Sequence, residues 1–341
     1  MAPASGQRPD EAVAGPLPVA VMGLGQIGRR IAEVAASSGE LSLVGAVDAA
    51  PALAGKPLAE LVPGSPKGLK VERDLGQLLP RLKGGVLLHA TGSRFEVVLP
   101  QLEAAVRAGV HVVSTCEELS FPWLRFEEKA DKLDELAQKH GVCVLGTGVN
   151  PGFVLDRLVA TAGAVCGAIR HAHAERKVDL FTRREALQRR CGLGLTEDEF
   201  ERRSSAGEVG HVGLAESAAL CALGLGLDFD EYEEEIEPLL AEEDSTCGAI
   251  QIPRDHVAGV YHRVRGFHEG RETVLLELSL EAHADGPYDL VHLDADPPIT
   301  LRVEGGYAGD SATAWAVVNA APRLAHAERG LLTVLELPAG R

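Results

Sequence analysis

A short apolar run, Val19 to Met22, breaks into Gly23-Leu24-Gly25-Gln26-Ile27-Gly28 and continues with Ile27, Ile31, Val34 and Ala35 at helical spacing. No other stretch restricts the fold as far. Between a strand and a helix, the first two glycines permit a sharp turn and the close approach of a pyrophosphate, and the third lets the helix pack against the strand. The helix N-terminus presents unpaired N–H groups to that negative charge. A second strand, Leu43 to Val47, ends at Asp48, twenty residues after Gly28, where a carboxylate hydrogen-bonds an adenosine ribose. Motif, context and acid together predict a dinucleotide site built from Gly23, Gly25, Gln26, Ile27, Gly28 and Asp48. Ala49, Ala50 and Pro51 follow Asp48 with no adjacent arginine to pair a 2′-phosphate, which favours NAD. Lys56 or Arg73 folding back onto a phosphate would admit NADP.

Strand and helix keep alternating, as a doubly wound parallel sheet requires. Val86 to His89 reads as a strand, and the small-residue loop after it, Ala90-Thr91-Gly92-Ser93, suits the cofactor's ribose and nicotinamide. Val98, Leu102 and Ala105 mark a helix that stops at Gly109. Val110 to Val113 then runs into Ser114-Thr115-Cys116-Glu117-Glu118, the densest set of reactive groups in the chain and a candidate catalytic edge, because ligands gather at the carboxyl ends of such strands. Phe126, Ala130, Leu133 and Ala137 give a long helix after Pro122, and Val142 to Leu145 a further buried strand. In Gly146-Thr147-Gly148-Val149-Asn150-Pro151-Gly152, Asn150 is expected to cap a helix beginning at Pro151, and the loop to border the nicotinamide.

From about residue 165 the period changes to two. Arg170, Ala172 and Ala174 alternate with His171, His173 and Glu175; Leu276, Leu278 and Leu280 alternate with Glu277, Ser279 and Glu281. Val260 to Phe267 reads as a hairpin partner of the latter strand, and Gly213 to Leu223 and Ser311 to Ala321 as covering helices. The expected architecture is α/β: a Rossmann-type doubly wound parallel sheet over 18–150 and an α+β second domain with a mostly antiparallel sheet over 151–330. Residues 1–17 are expected to form a disordered tail, and 331–341 a C-terminal segment returning to the first domain. The acidic run Asp230 to Glu237 is expected to be a solvated edge.

A net charge of −17 repels phosphate backbones and argues against nucleic acid, while easing the entry of neutral or cationic small molecules. Six cysteines without a CxxC pair or a Cys/His zinc spacing point to the reducing cytoplasm and to no metal. No apolar run reaches the roughly 20 residues a membrane span needs. His171 and His173 share a strand face but have no third ligand at a recognisable spacing. Arg183-Arg184 and Arg189-Arg190 suit a substrate carboxylate, although such pairs are commonly surface charge.

The glycine loop, Ser114 to Leu119 with Pro122 beyond, and Gly146 to Phe153 together resemble the NAD(P)-dependent amine dehydrogenase family related to 2,4-diaminopentanoate dehydrogenase, whose first domain is similar to that of dihydrodipicolinate reductases. Arg176 to Arg184 and Gly210-His211-Val212-Gly213 extend the resemblance to most of the chain. It implies reversible oxidative deamination of an amine, or in reverse the amination of a ketone or aldehyde with ammonia, by a homodimer. It also implies a catalytic glutamate within Glu117-Glu118. A carboxylate there can take the ammonium proton and stabilise the iminium cation. If the segment is extended, neighbouring side chains diverge, and motif alignment favours Glu117, with Glu118 holding the loop. The loop residues Ala90, Thr91 and Ser93, with Thr115 and Asn150, are expected at the cofactor, and the resemblance suggests Phe153, Val154, Lys177 and Thr182 around the substrate; His211, near a helix start, is within reach of the cleft, although capping or packing suits it better on sequence alone. With 4% aromatic residues, the pocket is expected to be wide and lined by small or aliphatic groups.

Four alternatives stay open at this level. One is 2,4-diaminopentanoate dehydrogenase activity proper, and a second is reduction of a cyclic imine, for which no basic His-and-Lys segment is found. A third is a semialdehyde dehydrogenase using Cys116 as nucleophile. The last is a dinucleotide sensor without turnover.

Overall fold

The computed structural model describes residues 15–338. The tail expected over 1–17 lies outside them except for its last three residues, and Leu17 already opens the first strand. In chain order the first half comprises β1 (Leu17–Met22), α1 (Gln26–Ser37), β2 (Leu41–Val47), α2 (Leu58–Leu61), β3 (Val71–Glu72), α3 (Leu75–Leu78), β4 (Val86–His89), α4 (Phe95–Arg107), β5 (His111–Ser114), α5 (Trp123–His140) and β6 (Cys143–Gly146). These strands pair in parallel in the order β6-β5-β4-β1-β2-β3. The winding reverses between β1 and β4, so a crevice opens at the carboxyl ends there. Helices cover both faces, which is why every residue of β4 and β6 is buried and their sequences are apolar without alternation.

The second half adds α6 (Arg157–Gly163), β7 (Ile169–Asp179), α7 (Glu185–Arg190), α8 (Glu197–Ser205), α9 (Leu214–Leu225), β8 (Glu231–Leu240), β9 (Ser245–Cys247), β10 (Ile250–Ile252), β11 (Val257–His268), β12 (Arg271–Glu281), β13 (Tyr288–Ala295), β14 (Ile299–Glu304), α10 (Gly309–Ala320) and β15 (Gly330–Leu332). Six of these strands form a sheet in the order β14-β13-β7-β12-β11-β8, antiparallel except where β7 meets β12. One face buries Ala172, Ala174, Val264, Leu276 and Val291 against Val159 of α6 and Leu214 and Ala218 of α9. The other carries the polar half of each alternation. The acidic run makes up most of β8, an edge strand, where charge discourages pairing with another chain.

The last helix leaves this sheet. Ala314, Val317 and Val318 of α10 share a core with Val21, Ile31 and Val34, because their apolar partners lie on α1 and the first sheet. β15 then joins β6 in parallel. The chain thus returns to the first sheet from Gly309, earlier than the 331 expected from sequence. Among the described residues no helix is long and apolar enough to cross a membrane.

Candidate active site

Each glycine of the first loop answers a different constraint. A Cβ on Gly23, at φ 89°, would lie 2.4 Å from the Ala90 carbonyl oxygen, and one on Gly28 would lie 1.7 Å from the Gly23 oxygen. The fold itself demands those two. A Cβ on Gly25 would meet nothing within 4 Å. Gly25 therefore keeps open space in front of α1, whose N-terminus has no side-chain cap. A pyrophosphate fits that cradle, where the first helical N–H groups remain unpaired. Asp48 borders it: one oxygen accepts from Leu24 N at 2.6 Å, the other from Ala50 N at 2.8 Å. Beyond Asp48 lies a cavity lined by Val47, Ala49, Arg73, Leu75, Gln77 and Gln101. Arg73 stands in it and Lys56 does not.

The strand ends converge on a cleft of about 330 Å³. Ile27, Ala90, Thr91, Ser93, Thr115, Glu117 and Asn150 all line it. Beneath Thr91 lies a network that sequence reasoning missed. His89 Nε2 donates to Gln101 Oε1 at 2.8 Å, Nδ1 accepts from the Ser114 hydroxyl at 2.8 Å, and the Thr91 hydroxyl donates to the same Gln101 oxygen at 2.7 Å. Burial lowers the His89 pKa to about 4, against the pull of the Gln101 bond, so the ring is a neutral support for Thr91. A histidine at the polar end of a buried strand is the signal that could have revealed it.

Glu117 and Glu118 divide sharply. Glu117 has helical dihedrals, φ −64° and ψ −44°, and opens a 3₁₀ turn over Glu118–Ser120. The two side chains diverge because successive helical residues rotate around an axis, not because the segment is extended. The Glu117 carboxyl faces the cleft with protein on its other sides; burial raises its pKa, opposed by the Ser93 hydroxyl and by Arg190 and Arg184. Glu118 is buried outside the cleft, accepting from Arg94 at 2.7 Å and from the Phe95 N–H at 2.7 Å, which anchors the start of α4. Cys116 is 1% exposed, and burial with the neighbouring carboxylates pushes its thiol pKa strongly up. A thiolate nucleophile at that position is disfavoured.

The Asn150 turn differs from expectation. Residues 151–156 form turns and Gly152 has φ 118°, outside the helical range, so no helix starts at Pro151. Asp156 caps α6 instead: Oδ1 accepts from Arg157 N at 2.5 Å, and Oδ2 from Gly152 N at 2.8 Å and from the Ser217 hydroxyl at 2.9 Å. The Asn150 side chain is thereby free to reach His211, its Nδ2 lying 3.4 Å from His211 Nε2. Gly213, at φ 94°, closes this wall. A Cβ there would come 2.5 Å from Pro151 and 2.9 Å from Glu117.

Of the expected substrate-pocket residues, only His211 lines the cleft. Lys177 sits on the opposite face of β7, 3.4 Å from Glu281, because the period of two sends Arg176 and Val178 inward. Thr182 is exposed and donates to the Asp179 carbonyl at 2.9 Å. Val154 is wholly within the second core. Phe153 lies beyond the Gly148 turn in a neighbouring cavity, edge-on to Tyr307 at 5.2 Å between centroids. In their place stand Arg176, Arg183, Arg184, Leu187, Leu278 and Leu280. Arg176 is buried and paired with Asp289 at 3.1 Å. The buried Nε of Arg184 is 3.7 Å from Asp310, an ion-pair distance, with no hydrogen-bond partner among the described residues. The cleft is thus arginine-lined inside a protein of net charge −17, since local placement and not the total decides what enters.

On the open face of the six-stranded sheet, β12 supplies the partner that sequence spacing could not show for His173. Its Nε2 is 2.6 Å from Glu277, and ligand atoms of His173, Glu175 and Glu277 lie within 4.8 Å of one another. Tyr261 and Tyr288 donate to the two carboxylates.

A parallel sheet that holds a dinucleotide, roofed by a second sheet bearing the substrate side of the cleft, is the division of labour of an NAD(P)-dependent oxidoreductase. Residues 17–146 match the N-terminus of dihydrodipicolinate reductase, and residues 153–341 the 2,4-diaminopentanoate dehydrogenase C-terminal domain. The chain belongs to the family that this C-terminal domain defines. It is 26% identical over 332 residues to the 2,4-diaminopentanoate dehydrogenase of Acetoanaerobium sticklandii, covering 95% of this chain and 94% of the relative. Its fold is similar to the amine dehydrogenase of Mycobacterium smegmatis, with a TM-score of 0.84 at 21% identity over 95% of this chain and 97% of that one. The dihydrodipicolinate reductase of Paenisporosarcina sp. TG-14 is more distant, with a TM-score of 0.51 at 13% identity over 92% and 96% of the two chains.

Proposed function

We propose that the protein is an amine dehydrogenase that interconverts an amine and a ketone or aldehyde plus ammonia, with Glu117 as its proton acceptor. One observation carries the reading: Glu117, the only glutamate among the described residues that line the cleft, stands where burial raises its pKa towards a range useful for general-base work. Bound NAD(P) supplies the hydride acceptor. The chain's own residues do the rest. Glu117 removes a proton from the substrate ammonium so that its carbon can lose hydride, and its anion offsets the positive charge of the iminium. Gly23, Gly25, Gln26, Ile27 and Gly28 hold the pyrophosphate; Ala90, Thr91, Ser93, Thr115 and Asn150 border the reacting end. Arg94 and Glu118 hold the loop that presents Glu117. No lysine lines the cleft among the described residues, and the thiol of Cys116 is suppressed, so neither cyclic-imine reduction nor thioester chemistry has comparable support.

The arginines favour one narrower version. Arg183 faces the cleft with no hydrogen-bond or ion-pair partner for its guanidinium among the described residues, which suits a carboxylate on the substrate, as in a 2,4-diamino acid. Asp48 supports NAD, whereas Arg73 in the cavity beyond Asp48 leaves a cation near a 2′-phosphate. Comparing KM for NADH and NADPH in wild type and Arg73→Ala tests this: loss of NADPH use alone assigns Arg73 to the phosphate. A homodimer, testable by sedimentation velocity, and a cytoplasmic location suited to six free thiols belong to the same proposal. The deciding experiment follows NADH oxidation over a panel of ketones and aldehydes with and without ammonium. Consumption that requires ammonium is expected. Consumption indifferent to ammonium, or binding of NADH without any turnover, would reject the assignment.

A further inference from the structure

Oxidative deamination releases a net proton: ammonium substrate, NAD⁺ and water become ketone, NH₄⁺, NADH and H⁺. Glu117 takes its proton in a cleft walled by protein, so each turnover needs an exit. We propose that His211, a bridging water and His262 form a proton relay from the cleft to Glu234 at the surface, discharging Glu117 between turnovers. The inference rests on the amine dehydrogenase reading.

The wiring is read from hydrogen bonds. His262 is wholly buried on β11, and its Nε2 is 3.0 Å from Glu234 Oε1 on the edge strand β8, where the carboxylate retains 25% exposure. Nε2 therefore carries the hydrogen and Nδ1 the lone pair. With the Asn150 amide nitrogen towards the ring, His211 Nε2 accepts and Nδ1 carries the hydrogen. The remaining nitrogens are a donor on His211 and an acceptor on His262. Both are buried and neither has a partner. The ring centroids stand 5.7 Å apart, and one water between the two nitrogens, accepting from His211 and donating to His262, would satisfy both. Two orphaned imidazole nitrogens of complementary sense are costly unless something joins them.

At the cleft end the link is one of shared lining. His211 lines the same cleft as Glu117, on the Gly210–Gly213 loop that packs against the Glu117 stem. When the long Asn150 contact at 3.4 Å opens, His211 Nε2 takes a proton from the cleft and the one on Nδ1 passes through the water to His262 Nδ1. The hydrogen on His262 Nε2 then moves to Glu234 and solvent, and ring reorientation restores the start. Burial, His262, Arg190 and Arg176 all oppose a lasting charge on His211, with Glu234 acting the other way, so it carries the proton only in transit. Arg125 binds Glu234 at 2.9 Å and Glu216 at 2.8 Å, fixing the exit.

A network of this kind could also be a mere structural pin, and His262→Gln separates the two. Glutamine can still donate to Glu234 but transfers no proton. With NAD⁺ and an amine that wild type oxidises, the first turnover, read as a burst of NADH, is expected to keep its rate. Steady-state kcat is expected to fall about tenfold or more, within the range of positioned proton transfer, and to recover with rising imidazole concentration. An unchanged kcat, or a loss that imidazole does not relieve, refutes the relay while leaving the amine assignment intact. If His262→Gln does not fold, Glu234→Gln takes the same test at the exit. Wild type inert on every amine overturns both readings.

Discussion

The glycine loop offers a prediction in which fold and ligand make opposite demands on chemically identical changes. Gly25→Ala places a methyl where nothing lies within 4 Å, at φ −64° and ψ −173°, a conformation open to alanine. Replacing a glycine N-cap by alanine costs about 1 kcal/mol and reducing unfolded-state freedom returns about 0.4–1 kcal/mol, so the net should stay within about 1 kcal/mol of zero. Gly28→Ala instead drives a methyl to 1.7 Å from the Gly23 oxygen, which requires α1 to move. Overpacking of this kind costs roughly 1–3 kcal/mol, or about 2–12 °C in Tm at roughly 2–4 °C per kcal/mol. Ligand binding reverses the contrast. At about a hundred times Kd, NADH should add about 2.7 kcal/mol to wild type, and this increment should vanish in Gly25→Ala because the methyl occupies the pyrophosphate's approach. Thermal melts of the three proteins, each with and without NADH, read both effects. A Gly25→Ala protein that melts as early as Gly28→Ala, or that keeps the full NADH increment, would refute the assignment of that space to the cofactor.

Glu117→Gln should lower turnover about 10²–10⁴-fold yet raise stability near neutral pH, since it removes a carboxylate whose ionisation burial opposes; Glu118→Gln should keep most turnover but weaken the Arg94 and Phe95 contacts, and kinetics beside thermal melts separate the pair. The pH profile of kcat/KM for amine oxidation should show an acid limb above the ordinary carboxylate range, because the raised pKa of Glu117 leaves it protonated, and unable to accept, at higher pH than a free glutamate. Stability should fall as pH drops below about 6.5, because His89 and His111, both lowered to about 4, and His211, lowered to about 3, bind protons in the unfolded chain before the folded one; burial is the largest cause for each, and chemical denaturation between pH 7 and 4 measures the loss.

Local chemistry was enough to locate one side of the site. Gly23, Gly25 and Gly28 with Asp48 form a pattern whose every member is set by backbone geometry within one strand, turn and helix, so spacing alone placed the cofactor. The strand end at Ser114 to Glu118 was legible for a related reason, since a strand covered on both faces meets a ligand only past its carboxyl end, where polar side chains can gather. Alignment favoured Glu117 over Glu118, and the structure brings Glu117 to the cleft through helical dihedrals, not through an extended segment.

What only the tertiary structure decided lies where segments far apart in sequence meet. Ala172 and Ala174 mark the inward face of β7 and so point to Arg176 over Lys177, yet nothing local says that this face roofs the cleft. Arg183 and Arg184 look like surface charge until α10, some 125 residues later, brings Asp310 beside Arg184. His211 and His262 acquire complementary free nitrogens only through Asn150 and Glu234. A glycine turn is fixed by torsions of neighbouring residues, whereas the substrate side of the cleft is assembled from a sheet, a loop and a returning helix. Its chemistry exists only once long-range packing has joined them.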